Sequence, residues 1–588
     1  MTLSNDQSLA SSVPSPQKHR KHLRGAIPPA ARHVRGWRYF AGLFGGEHIA
    51  ATEFVIGVTF VMMGVGAKEV LIGLLIGNAL AVASWTLVTT PIAVETRRSL
   101  FSYLEHIAGP YFTKVYNIAI LLFYGSLAAA MITISAYAVR FAFGLPVQTE
   151  WYPTSGTFVL ITLLVGAVVV AVAAIGFEAM ANFATICAPW MLACFICGGA
   201  IALPILAYNA TGSVGFGGFS GFLQAAQDTI WTGRTPTGDP GISVWEVAAF
   251  AWANGAMVHL GLIDMAIFRF AKHKSYGLFS GIGMFLGHYI GWISAGLMGA
   301  GAALIVSASL TSLDSADVAF ATLGVIGILV VVCAGWTTAN ACLYRAGLAA
   351  TSLFPGKSRA KVTLGVGIFI AIAACFPFVA QSIMPLTVYG AMLLSPIGAI
   401  VVAEHWFFPK LGLTRYWSRY LGKKLNPAAL VTWMIALAFA ITLLVTEAIS
   451  FYFIFLPEYI LALVSYPILA SFMGAKGNWP KREAQQAERE EYLAAFEERR
   501  DAQAQMDDEE EDPSNEHTAK IAKWLLGGAG IMLLSMLGLA LQLAFTAPDL
   551  GAYELLRTNF HSIAMALTLC YFILAALAMR VTDANQSN

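Results

Sequence analysis

The sequence predicts an all-α polytopic membrane protein, and three observations carry that prediction. Of its 588 residues, 57% are apolar and only 12% are charged, with a mean hydropathy of +0.67. A soluble chain would carry roughly a quarter charged residues. The apolar residues also fall in continuous runs of about 20, the length that crosses a hydrocarbon core as a helix. A membrane barrel would instead alternate apolar and polar residues over segments of about ten.

The runs place fourteen spans at 41–64, 70–94, 115–138, 157–175, 183–208, 244–267, 276–306, 322–346, 361–380, 384–407, 428–447, 451–473, 522–545 and 559–580. With the N-terminus inside, the inner loops of the first twelve spans hold Arg97, Arg98, Lys114, Arg269, Lys272, Lys274, Arg345, Lys357, Arg359, Lys361, Lys410, Arg415, Arg419, Lys423 and Lys424. The outer loops hold only Arg140 and Arg234. That asymmetry follows the positive-inside rule. It predicts a multi-pass protein of the cytoplasmic (inner) membrane with a cytoplasmic N-terminus.

Domain organisation follows from the same pattern. Residues 1–39 form a basic cytoplasmic tail without a secretory signal. Residues 40–473 form a twelve-helix core. Residues 474–519 are a charged helix-former running into an acidic tract, read as a solvated cytoplasmic helix and linker, with a docking place for a partner as the second reading. Residues 520–582 supply two appended spans, and 583–588 a C-terminal tail. All seven cysteines lie in apolar runs, so Cys194 and Cys197 read as small packing residues despite their C-x-x-C spacing.

No nucleotide-binding, zinc-protease or hydrolase motif is present, which points to a carrier and not an enzyme, with no cofactor and no metal centre. Net charge is +1, so composition gives no argument for nucleic acid. Carriers build their sites from helices interrupted at mid-membrane. Span one carries Gly45-Gly46 followed by Glu47-His48 and Glu53, and span six carries Asn254-Gly255 at its centre. Two glycine-marked weak points in corresponding spans are the pattern of a 5+5 inverted repeat. In span eight, CAGWTTANACLYRAGL, Thr337 and Thr338 face different directions. One can coordinate a hard cation such as Na⁺ while the other bonds its own helix.

WTTANACLYRAGL resembles the eighth-span motif W-[ST]-T-N-D-N-x-L-Y-x-x-G-L of the nucleobase:cation symporter family, the cytosine/purine permease type. LLIGNALAVASWTLVTTPIAVETRRSL (74–100) is similar to its second span. IGFEAMANFATICAPW (175–190), with Gly176 and Pro189, is similar to the start of its fifth. LTVYGAMLLSPIGAIVVAEHWF (386–407), with Ser395 and Glu404 replacing Pro and Asp, resembles its tenth span, and YILALVSYPIL (459–469) its twelfth. The resemblance covers about residues 40–473. It implies a twelve-helix, sodium-coupled inverted-repeat carrier working by alternating access. Its cation site would comprise carbonyls within Gly46–Ala50 (Gly46, Glu47, Ala50), the Ala334 carbonyl, Thr337 and Thr338. A flat heterocycle would sit near Phe123, Tyr124, Trp252, Asn254, Met257 and Asn340, where aromatic faces suit a planar ring.

The chain departs from the family at the substrate-reading third-span Gln, here Ile120. It departs again at the Asn after W-[ST]-T, here Ala339, and at the sixth-span Asp, here Ala266 with Asp264 two residues earlier and Arg269 retained. These changes argue against cytosine itself. Glu47, His48 and Glu53 are unusual for this family's first span. Buried carboxylates cost at least about 2.5–3.5 kcal/mol there, so these three are read as coupling or protonation groups.

The leading reading is a symporter importing a nucleobase-like or related nitrogen heterocycle with Na⁺ or H⁺. The alternatives are a divalent-metal or amine carrier, with Glu47, His48, Met257 and His259 as ligands, and a transporter-derived membrane sensor.

Overall fold

The computed structural model describes residues 29, 34–175, 177–235, 237–257, 259–354, 356–509 and 513–587. The regular structure within them is helical. Eleven helices are long and apolar enough to cross a membrane. Each coincides with an expected span, from Ala67–Thr96 and Pro110–Ala142 to Thr518–Thr546 and Leu550–Thr582. The other three expected spans are spans one and six, which are interrupted, and span nine, a 16-residue helix at Arg359–Ala374.

Span one forms two helices, Trp37–His48 and Thr52–Met62. The break is Ile49–Ala51, not the glycine pair. Gly45 and Gly46 stay helical, and Gly46 serves close packing: a Cβ there would lie 2.7 Å from the Cβ of Ala184 on span five. Span six runs helically through Val244–Trp252 and widens into a π turn at Ala253–Met257. It then passes through turns to the short helix Met265–Phe268. Its start is fixed by a capping box, in which Ser243 Oγ accepts from the Glu246 amide and the Glu246 carboxylate accepts from the Ser243 amide.

Small-residue stripes bring the broken spans against unbroken neighbours. Gly283, Gly287 and Gly291 repeat every four residues on span seven. A Cβ on Gly287 would fall 1.8 Å from the His48 carbonyl oxygen, and one on Gly283 2.5 Å from that of Phe44. Gly73 and Gly77 on span two meet the Val244 and Ala248 carbonyls of span six in the same way, at 2.7 and 2.4 Å. Stripes of this kind let membrane helices gain dispersion contacts that lipid would otherwise provide. Spans three and eight make the most extensive pairing among the described residues.

Each face has its own fastening. On one, Arg140 at the end of span three pairs with Asp314 at 2.5 Å and Asp317 at 3.1 Å, which also cap the helix Ser315–Leu323. On the basic-loop face, buried Arg97 donates to the carbonyls of Arg269 and Ala271, both at 2.7 Å.

The last two spans pack on span five. Trp190 Nε1 donates to Thr568 Oγ1 at 3.0 Å, and Tyr571 donates to the Ile186 carbonyl at 2.7 Å. The linker helix Pro480–Glu509 lies on the core and does not stand free in solvent. Leu493 is buried, and Glu490 and Glu497 pair with Arg415 at 2.8 Å and Arg97 at 2.5 Å. The acidic residues 510–512 and most of the basic tail lie outside the described residues.

The tightest approach between spans six and ten is at Gly398, where a Cβ would meet the Leu260 carbonyl oxygen at 1.5 Å. Gly398→Ala is expected to lower stability by about 1–3 kcal/mol through forced separation of the two spans. Gly365→Ala, with nothing within 4 Å, should leave the thermal unfolding midpoint unchanged or slightly higher.

Candidate functional site

Breaking a helix inside a membrane frees backbone groups that must find partners. At span one the sequence supplies them locally. Glu53, in the first turn of the second half, Thr52–Met62, accepts from the Ala50 amide at 3.2 Å and so caps the helix that it belongs to. A carboxylate at a helix N-terminus is favoured by the dipole. Thr338 Oγ1 donates to the Glu47 carbonyl at 3.4 Å, reaching from span eight to one of the carbonyls that the break leaves open.

The side chain of Glu47 leads to the centre of the site. Arg345, on span eight, binds it through both guanidinium nitrogens at 2.5 and 2.9 Å and reaches Asp264 of span six at 3.1 Å. Asp264 also accepts from Trp85 Nε1 of span two at 2.9 Å and lies 2.7 Å from His259 Nδ1. Tyr124 of span three lies under the guanidinium at 5.4 Å. Leu262, one of the four residues between His259 and Asp264, takes a left-handed φ of 67°. That reversal closes the turn that holds His259 beside Asp264. Such a conformation costs an L-residue of order 1–3 kcal/mol and persists only where the surroundings dictate it.

One guanidinium facing two carboxylates leaves a formal charge of −1 before the histidines are counted. Three of them are close. His48 Nδ1 lies 3.3 Å from His288 Nε2, and the His48 and His259 rings are 5.8 Å apart. His288 Nε2 in turn lies 4.0 Å from Glu53 Oε1, and Trp292 Nε1 donates to the other Glu53 oxygen. Polar side chains therefore run from Arg345 through the histidines to Glu53, hydrogen-bonded at His259–Asp264 and His48–His288 and only neighbouring at His259–His48 and His288–Glu53. They cross the break in span one and are buried throughout.

The expected cation ligands are brought together only in part. Thr338 meets span one, whereas Thr337 donates to the Ala334 carbonyl at 3.1 Å, so two expected ligands bond each other. The Ala50 carbonyl accepts from the Glu53 amide at 3.3 Å, and Gly46 is a packing position.

Among the expected substrate residues, Tyr124 is at the site, beneath Arg345, whereas Asn340 stands five residues before Arg345 on the same continuous helix, about 140° round its axis. The Tyr124 hydroxyl and Asn340 Oδ1 are buried without a hydrogen-bond partner among the described residues, as are His48 Nε2 and His288 Nδ1. Asn340 Nδ2 donates to the Trp336 carbonyl at 3.0 Å. Phe123 stacks edge-on to Tyr124 at 5.0 Å and packs on Gly390. Trp252 donates to Ser84 at 2.9 Å and packs on Phe455, which uses it to hold span six against spans two and twelve. Asn254 is half-buried within the π turn, and the Met257 side chain lies outside the described residues.

Sequence reasoning did not assign Arg345, Trp85, His288 or Trp292 to the site. A readable signal existed for His288. It sits between Gly287 and Gly291 of a G-x-x-x-G-x-x-x-G stripe, which marks the face of span seven that meets another helix.

The chain matches no protein-family model and no curated protein. Solved structures do match. Mhp1, a nucleobase-cation-symport-1 family transporter in a closed conformation with bromovinylhydantoin bound, superposes with a TM-score of 0.58 at 13% identity, over 80% of this chain and 99% of its own. The inward-facing conformation of Mhp1 gives 0.55 at 14% identity, over 76% and 93%. A Na⁺-coupled sialic acid symporter in a substrate-bound outward-open state gives 0.51 at 11%, over 77% and 92%.

The ion cluster makes an ordered prediction. Arg345→Gln leaves two buried carboxylates uncompensated and should cost about 3–5 kcal/mol. Glu47→Gln leaves Arg345 on Asp264 and should cost less. Unfolding midpoints of the purified variants are expected to fall in the order wild type, Glu47→Gln, Arg345→Gln.

At these identities the likeness establishes the fold, and the fold is the LeuT type that the two glycine-marked spans anticipated.

Proposed function

We propose that the protein is a secondary active symporter that takes up a small nitrogen heterocycle together with Na⁺ or H⁺ by alternating access, in the cytoplasmic membrane with its N-terminus inside. The observation that carries this reading is the coincidence of two helix breaks, in spans one and six, with one buried polar cluster. The shared fold with Mhp1 and a Na⁺-coupled sialic acid symporter supports it. Tyr124, with an unpartnered hydroxyl, is the group assigned to the ligand's polar edge. Phe123 backs Tyr124.

Two coupling ions fit different parts of the site. Na⁺ would take Thr338 Oγ1 and the carbonyls of Glu47, Ala50 and Ala334, an all-oxygen set suited to a hard cation. A proton would be held by Glu53 and relayed through His288 and His48. The Glu47–Arg345–Asp264 cluster, on the basic-loop side of the breaks, acts as the inner gate that must part for release.

A second reading is favoured by one observation: ligand atoms of Glu47, His48 and His259 lie within 4.8 Å of one another, as divalent-metal ligands would. In this conformation both Glu47 oxygens are held by Arg345, so a metal would have to displace the guanidinium. That makes the heterocycle the preferred cargo.

A thermal-shift panel of nucleobases, hydantoins, vitamins, amines and divalent metals, each with and without Na⁺, tests these readings. A heterocycle at a hundredfold excess over its dissociation constant should stabilise the protein by about 2.7 kcal/mol. Thr338→Ala should abolish any Na⁺-dependent part of that shift. In proteoliposome uptake, Glu53→Gln should abolish pH dependence if the proton reading holds. Stabilisation by metals alone would replace the heterocycle with the metal reading.

A further inference from the structure

A cavity of 540 Å³ lies on the basic-loop face, between the core and the linker helix. Its wall draws Arg98 from the loop after span two, Lys272 and Lys274 from the loop after span six, Arg415 from the loop after span ten and Arg489 from the linker helix. Glu95, Glu490 and Glu497 are the carboxylates of the same wall.

The three carboxylates are already committed. Glu95 accepts from Lys274 and from His405, each at 2.8 Å. Glu490 pairs with Arg415 at 2.8 Å, and Glu497 with Arg97 at 2.5 Å.

None is left for Arg98 or Arg489. Arg98 is buried, and its Nη1 meets His106 at 2.7 Å and the Ser102 hydroxyl at 3.4 Å. Arg489 Nη2 is buried with no hydrogen-bond partner among the described residues. His106 cannot balance the charge. Burial, with Arg98, Arg419 and Arg489 beside it, pushes its imidazole down to about 3, so it stays neutral. Arg98 itself is brought down to about 10 by burial and by repulsion from Arg489 and Arg419. Uncompensated guanidiniums in a half-buried space cost folding energy unless an anion answers them.

We propose that this cavity is a binding site for a phosphate-bearing anion, held between Arg98 of the core and Arg489 of the linker helix, which clasps that helix to the basic-loop face. Guanidinium groups match phosphate oxygens in planar, paired hydrogen bonds, and the volume admits a phosphate ester. The anion is either a soluble phosphate or the headgroup of an acidic lipid. The site does not depend on the transport reading.

The test uses the full-length protein. In detergent, pyrophosphate is titrated against sodium chloride of equal ionic strength while the unfolding midpoint is followed. In parallel, phosphatidylcholine nanodiscs are compared with and without phosphatidic acid. The expected result is a saturable rise in midpoint with at least one probe, with apparent affinity reduced about tenfold in Arg489→Gln, whose exposed helix leaves the core intact. Arg98→Gln should act in the same direction. A rise with pyrophosphate supports a soluble phosphate, and a rise confined to phosphatidic acid supports the lipid headgroup. No rise over the controls, or equal rises in wild type and both variants, would mean an adventitious ion only and overturn the proposal.

Discussion

A single buried guanidinium organises this molecule. Arg345 stands on span eight and holds Glu47 of span one and Asp264 of span six, with Tyr124 of span three beneath it. Through Asp264 it also engages Trp85 of span two. Five helices therefore meet around one positive charge, and two of them are the helices that break. In a low-dielectric interior the charge cannot be left bare, because removing one partner from such a cluster costs several kcal/mol. The cluster can exchange partners but cannot dissolve. Both broken helices are thereby tied to one contact that is strong when paired.

At the break in span one, side chains answer two of the freed backbone groups. Glu53 caps the second half of the span, Thr338 reaches the Glu47 carbonyl, and the glycine stripe of span seven lets the His48 and Phe44 carbonyls approach a neighbouring backbone closely. Polar groups that would be anomalous in a continuous span are the structural requirement of a discontinuous one. That answers why span one carries Glu47, His48 and Glu53: one holds the ion cluster, one faces His288, and one caps a helix.

Around this centre the additional segments are joined to the core. The last two spans are hydrogen-bonded to span five, which packs through Ala184 against Gly46 of span one. The linker helix rests on the loops that follow spans two and ten. Both segments therefore touch elements next to the broken helices.

Hydropathy, read directly from residue order, determined the membrane class and the positions of the apolar helices. The span eight motif and the paired glycine signals also pointed to the fold, because a helix break needs local chemistry that residue type reveals. The location of the break did not follow. Gly45-Gly46 looked like the weak point, but those glycines are consumed by packing, Gly46 against span five and Gly45 against Ile282 of span seven, and the chain opens three residues later, where Glu53 can cap it. The partner of Glu47 was equally hidden, since Arg345 lies 298 positions away and reads in sequence as one more basic residue near a span end. Trp252 shows the converse: an aromatic suited to a planar ligand is taken by Ser84 and Phe455 instead. Local chemistry fixes where a helix can form or fail, whereas pairing between distant charges depends on which helix faces meet, and only the packed bundle decides that.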